Sequence, residues 1–163
     1  LYLSTGCDAE QTAKLMNQLG TEGHYTVTPE MKAKMADFCG GFATEAEDAA
    51  AIRELYDETG YVIDTHTGVA SAVYQQYKKN TGDETKTVIA STASPYKFSR
   101  SVMKAISDEK LPEDEFAVID ELCRVSGVEI PKAVEEIRNA QIRHKLECDV
   151  QDMKKTVAKI LGI

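Results

Sequence analysis

Apolar residues recur at helical spacing along most of the chain. Behind Asp8, a good N-cap residue, Ala9, Ala13, Met16 and Leu19 share one face and predict a helix ending at Gly20. The opening Leu1-Tyr2-Leu3-Ser4-Thr5-Gly6 reads either as the end of a helix or as a trimmed, disordered terminus. His24-Tyr25-Thr26-Val27-Thr28 is β-prone but short, and Pro29 suits the first turn of a helix running to about Cys39. Thr44-Glu45-Ala46-Glu47 matches a capping box, and the helix behind it aligns Ala49, Ile52, Leu55 and Tyr56 before Gly60. Tyr61-Val62-Ile63 fits a very short strand or a buried loop. Residues 65–79 predict a helix apolar over most of its circumference through Val69, Ala70, Ala72, Val73, Tyr74 and Tyr77, hence a central one. Ser94-Pro95 starts a helix with Phe98, Val102 and Ile106 inward. Phe116, Ile119, Leu122 and Cys123 mark another, closed by Gly127, and Pro131 opens a further one with Val134 and Ile137. A last helix starts near Asp149 and carries Val150, Met153, Val157 and Ile160.

Thr87-Val88-Ile89-Ala90 is the clearest strand signal. It is β-branched and lacks polar alternation, which suits a strand covered on both faces in a parallel sheet. A single strand needs partners, either the weak segments above or strands outside this chain. The expected class is therefore α/β and helix-rich, with one or few short strands. No repeat, low-complexity linker or domain boundary is visible, so residues 1–163 are expected to form one portion.

Composition narrows the function. With 27 acidic and 19 basic residues the net charge is −8, which disfavours nucleic acid and anionic membranes as partners. The four cysteines, Cys7, Cys39, Cys123 and Cys148, show no metal-ligand or redox spacing, and His24 and His144 lack a ligand pattern, so no metal site is expected. A reducing cytoplasm is the simplest setting. No apolar run approaches the roughly 20 residues of a membrane helix.

The chemistry concentrates at Val88-Ile89-Ala90-Ser91-Thr92-Ala93-Ser94-Pro95-Tyr96-Lys97-Phe98. A buried-type strand ends in small hydroxyl residues and turns into a helix through an N-cap Ser and an N1 Pro. In α/β proteins ligands sit at strand carboxyl ends beside helix N-termini. The plain alternative is a well-capped helix after a strand.

Ser91-Thr92-Ala93-Ser94-Pro95-Tyr96-Lys97-Phe98 resembles the S-T-A-[HS]-P-x-K-F motif near the end of threonine synthases. Gly60-Tyr61-Val62-Ile63-Asp64-Thr65-His66-Thr67-Gly68-Val69 resembles that family's G-Y-x-x-D-P-H-T-A-V segment, and Gly40-Gly41-Phe42-Ala43-Thr44 its G-F-A-S/T stretch. The larger motifs keep the family's order and similar separation, and the similarity spans residues 1–106. Thr65 stands where Pro is usual, Gly68 where Ala is usual, and Ser94 where many members carry His.

The resemblance implies the C-terminal part of a pyridoxal-phosphate enzyme of the tryptophan-synthase-β fold type (fold type II). Such an enzyme converts O-phosphohomoserine and water to threonine and phosphate. It implies Thr92 as the hydroxyl facing the cofactor's ring nitrogen, with Ser91 as neighbour and rival. The Schiff-base lysine and the phosphate-cradling glycine loop belong to the family's N-terminal part; Lys97 sits in the later motif and is not that lysine. This chain alone is therefore expected to be inactive, to bind no cofactor, and to need the N-terminal part of the same enzyme as partner. Lys97 and Arg100 lie where a substrate phosphate could be attracted, or are ordinary surface cations. His66 has a packing or capping role or a catalytic one, and Asp64 either caps the helix or orients His66. Exposed surface near residues 61–77 and 91–98 is expected to make the isolated chain self-associate or bind a hydrophobic dye. The competing readings are a helical interaction module, suggested by the acidic charge and amphipathic helices, and a pseudo-enzyme domain.

Overall fold

The computed structural model describes all 163 residues, and they form eight α-helices joined by turns and loops, with no β-strand. The chain separates into two compact units, Leu1–Ala43 and Thr44–Ile163, where the sequence suggested no boundary.

In the first unit, residues 1–6 make one turn. Its end is closed by Cys7 N–H to Tyr2 C=O at 2.9 Å and Gly6 N–H to Leu3 C=O at 3.1 Å. This paired pattern is the Schellman closure of a helix C-terminus, so the helix-end reading describes the local geometry. Helix α1 spans Ala9–Glu22, and the Asp8 carboxylate accepts from the Gln11 amide at its start. It passes through Gly20 and ends only at Gly23, whose φ of 76° supplies the left-handed cap. A glycine stops a helix by adopting that conformation, not by its presence. Helix α2 is Pro29–Lys34, capped by Thr28 and shorter than the periodicity to Cys39 suggested. Residues 24–27 form no strand.

The second unit holds the main core. Helix α3 (Glu45–Thr59) begins with the expected capping box: Thr44 N–H donates to Glu47 Oε2 at 2.7 Å, and Glu47 N–H to Thr44 Oγ1 at 3.3 Å. Helix α4 (Thr65–Thr81) packs on α3 after the loop 61–63, in which Val62 and Ile63 are buried. Thr65 is the first residue of α4, a position whose amide has no intrahelical acceptor, so Thr is as acceptable there as the usual Pro. The expectation that α4 is central does not hold. Thr67, Gly68 and Ala72 are buried, whereas Val69 and Ala70 are exposed. A buried stripe lies beside α3 and the far side meets solvent.

Residues 87–90 are neither helical nor paired, and Val88 is 90% exposed. The strand expectation is corrected here: β-propensity needs a ladder partner, and none is in place. After this segment a 3₁₀ turn, Pro95–Phe98, capped by Ser94, leads into α5 (Ser99–Ile106). Tyr96, not Phe98, points inward, because the tighter turn rotates the side-chain register. Its hydroxyl donates to the Val128 carbonyl, and burial, with Cys123 beside it, pushes the phenol up to about 12.

Helix α5 packs against both α3 and α6 (Glu115–Ser126). Ile52, Val102, Met103, Ile106, Val118 and Leu122 form the centre of the core. Arg53 donates to the Ile106 carbonyl at 3.2 Å and to Asp108 at 2.9 Å, satisfying the C-terminal end of α5. Helix α7 (Lys132–Arg138) is held to α6 by a bidentate Arg138–Asp120 pair at 3.0 and 2.6 Å, with the guanidinium over Phe116. Helix α8 (Met153–Leu161) follows a 3₁₀ turn, Val150–Asp152, and has no buried residue.

Candidate functional site

The site grows from the N-terminus of α4. Asp64 is its N-cap, with a side chain that is fully buried. Its Oδ1 accepts from the His66 amide at 2.8 Å and the Thr67 amide at 3.4 Å, and its Oδ2 from the Thr67 hydroxyl. Burial alone would raise this carboxyl. The Thr67 hydroxyl, the two amides and nearby His66 outweigh burial and hold it below its ordinary value. The capping alternative is realised, and His66 Nδ1 lies 3.3 Å from Asp64 Oδ1.

Two contacts then join the two sequence motifs. Thr67 Oγ1 lies 3.0 Å from Ser91 Oγ. The His66 ring stacks on Phe98, with centroids 5.5 Å apart and planes at 26°. Residues 24 and 32 positions apart in sequence thus meet at one helix end. Thr67 and Ser91 border a hollow of about 370 Å³ with Ile63, Tyr74 and Ile89. His66 and Phe98 border another of about 530 Å³ with Asp48, Ile52 and Lys104.

Ser91 and Thr92 are both exposed on the segment approaching the 3₁₀ turn, and Ser91 is the one tied to α4. Lys97 is exposed, with its ammonium 5.6 Å from the Phe98 ring centroid, and borders neither of these two hollows. Arg100 directs all three of its nitrogens into the protein. Its Nε donates to Glu115 at 2.6 Å, and its terminal nitrogens to the Pro112 and Glu113 carbonyls at 2.8 and 2.9 Å. It clamps the entry to α6 instead.

Asp48 escaped sequence reasoning. It lies on α3 four residues before buried Ile52, on the same side of the helix, and its Oδ1 is buried without a hydrogen-bond donor. Burial first, then the Asp64 charge, raise its carboxyl, with His66 opposing. A Cβ added at Gly68 would collide with Asp48 Oδ1 and come within 2.8 Å of Ile52 Cγ1. The departure from Ala at position 68 was the signal that something presses against that backbone.

No group of three or more His, Cys, Asp or Glu gathers in metal-binding geometry, all four cysteines are free, and no helix is long and apolar enough to cross a membrane. Against known proteins, the family model described as threonine synthase, C-terminal, matches residues 67–157. This chain belongs to that family. The match contains Ser91, Thr92 and Lys97. Threonine synthase of Schizosaccharomyces pombe is 31% identical over 144 residues, covering 79% of this chain and 28% of that protein. Human threonine synthase-like 1 is 30% identical over 114 residues, covering 69% of this chain and 15% of that protein. The crystal structure of PLP-bound threonine synthase from Brucella melitensis superposes with a TM-score of 0.55 at 25% identity, over 78% of this chain and 26% of that one. The chain thus spans 15% to 28% of the length of these relatives.

Proposed function

We propose that this threonine synthase C-terminal chain forms one wall of the active site of a pyridoxal-phosphate enzyme of the tryptophan-synthase-β fold type. The enzyme converts O-phosphohomoserine and water to L-threonine and phosphate. The chain acts with the N-terminal part of the same enzyme, in the cytoplasm, and alone is inactive.

The observation that carries this reading is the junction of the two motifs, where Thr67 meets Ser91 at the edge of a hollow, with Thr92 next to Ser91 in the chain. Those residues fit the cofactor's ring edge. They offer neutral hydroxyls on small side chains, so a flat ring can approach closely, and no carboxylate lines that hollow. When bound, pyridoxal phosphate draws electrons from the carbon centres next to the substrate's amino group. Thr92 is the residue that would hold the ring nitrogen, and a neutral hydroxyl there would leave the ring uncharged and moderate that withdrawal. Lys97 is the exposed cation this chain offers to a phosphate ester, whereas Arg100 holds α6 in place. His66, stacked on Phe98 and anchored by Asp64, orders the turn that carries Lys97.

The test is phosphate release from O-phosphohomoserine by the full-length protein supplied with pyridoxal phosphate, with this chain alone as control. Release with threonine formed by the full-length protein only is the expected result. No release by a well-folded full-length protein removes this reading and puts the interaction-module and pseudo-enzyme readings ahead.

A further inference from the structure

The hollow of about 530 Å³ is bordered by α3, the start of α4, Phe98 and α5, and the proposed cofactor role leaves it unused. Its volume falls in the range of about 300 to 1,000 Å³ common to small-molecule sites. Ile52 and the stacked rings of His66 and Phe98 give it an apolar side. Its charges are sorted by element. Glu45 and Asp48 stand three residues apart on α3 and share a face, whereas Lys104 comes from α5. None of the three enters an ion pair. Asp48 is the least satisfied of them. Its Oδ1 is buried without a donor, and the nearby Asp64 charge bears on it as well. A buried acceptor without a donor is destabilising, and in native proteins it marks a place where a partner is missing or a function is served. A molecule with a cation at one end and an anion at the other pairs all three side chains at once.

We propose that this hollow is a binding site for a short α-amino acid with an apolar side chain, separate from the cofactor site. The ammonium group meets the Glu45 and Asp48 carboxylates, the ligand carboxylate meets Lys104, and the side chain rests on Ile52 and Phe98. A simple amine leaves Lys104 unpaired, and a simple carboxylate leaves both acids unpaired, so neither satisfies the walls alone. His66 ties this hollow to the motif junction, with its ring on Phe98 and its Nδ1 3.3 Å from Asp64 Oδ1. None of Ser91, Thr92 and Lys97 borders the hollow, so the inference stands apart from the cofactor reading.

The probe is L-valine, titrated calorimetrically into the full-length protein supplied with pyridoxal phosphate. The cofactor absorbance band is followed in parallel and reports any valine that enters the cofactor site. Saturable heat with an unchanged band is the expected result. Isobutylamine and isovalerate each keep one of the two charges, and each is expected to bind at least about tenfold more weakly, the worth of one charge-assisted hydrogen bond. Asp48→Asn and Lys104→Gln are expected to weaken valine binding by the same factor. Lys104 is exposed, so Lys104→Gln keeps the fold and decides the matter even where Asp48→Asn unfolds the protein. Absence of saturable heat overturns the proposal, as does valine binding that both substitutions leave intact. Heat that always comes with a band shift puts the ligand at the cofactor and overturns the separate site. A full-length protein that takes up no pyridoxal phosphate overturns the cofactor reading instead, and the valine titration still decides this one.

Discussion

Helices α5 and α8 are two short amphipathic helices with opposite fates. In α5, Val102, Met103 and Ile106 are 0%, 0% and 4% exposed; in α8, Met153, Val157 and Ile160 are 54%, 52% and 61% exposed. Spacing along the sequence marks an apolar face equally well in both. What differs is the company. Helix α5 enters from a capped turn between α3 and α6, whereas α8 packs chiefly with the 3₁₀ turn that precedes it. Periodicity says which face is apolar, and only neighbours make it a core.

Substitutions can break or sharpen this contrast. Met103→Ala leaves a hole among fully buried side chains and is expected to cost about 2 to 5 kcal/mol in urea unfolding. A cost below about 1 kcal/mol would mean that α5 does not anchor the unit. Gly68→Ala forces a methyl against Asp48 and Ile52 and is expected to cost about 1 to 3 kcal/mol, with part of the loss restored by adding Asp48→Ala. Additive effects of the two changes would rule out that collision. Thr44→Ala removes half of the capping box and is expected to cost about 0.5 to 2 kcal/mol, a loss without counterpart at α8, which has no side-chain cap.

The two buried-facing aspartates predict opposite pH effects. The lowered Asp64 carboxyl adds stability that is present above its unfolded pKa and disappears as pH falls through its lower folded value. Asp64→Asn should therefore reduce the melting temperature near pH 7 and flatten the loss in acid. The raised Asp48 carboxyl works the other way: it withholds stability as pH climbs from the unfolded value through the folded one. Asp48→Asn should remove that decline and leave stability in strong acid unchanged. A melting temperature against pH that is identical for both variants would contradict this opposition. The smallest effect is expected at the exposed end, where Val157→Ala should change stability by less than about 0.5 kcal/mol. The same exposed face, together with Tyr61 and Phe98, should make the isolated chain bind a hydrophobic dye; dye silence at high concentration would show these faces to be covered.

Where a signal was local it was legible. The capping box at Thr44, the Asp8 and Asp64 caps, the Gly60 and Gly127 ends and the inward Val102, Ile106, Ile119 and Leu122 all follow from a few adjacent side chains. Where it depended on a distant partner it was not. Residues 87–90 have strand propensity and no ladder to join, and the circumference of α4 is apolar while only its α3 side is covered. The candidate site divides in the same way. The motifs pointed to Ser91, Thr92 and Lys97 one by one, but nothing in the spacing showed that Thr67 reaches Ser91 or that Arg100 is spent on carbonyls and Glu115. Asp48 was invisible because a single acid in a charged helix looks solvated until the opposing backbone is known.

The contact between Asp48 and Gly68 also has an evolutionary reading. The space beyond the Gly68 Cα is filled from α3, so the two positions behave as one heritable character. A lineage that acquires the alanine usual in the family at position 68 is expected to shorten or redirect the residue at 48, and a lineage that keeps an acid at 48 to retain glycine. Relatives carrying both alanine at 68 and an inward carboxylate at 48 should be rare, and where they occur Ile52 should have been exchanged for something smaller.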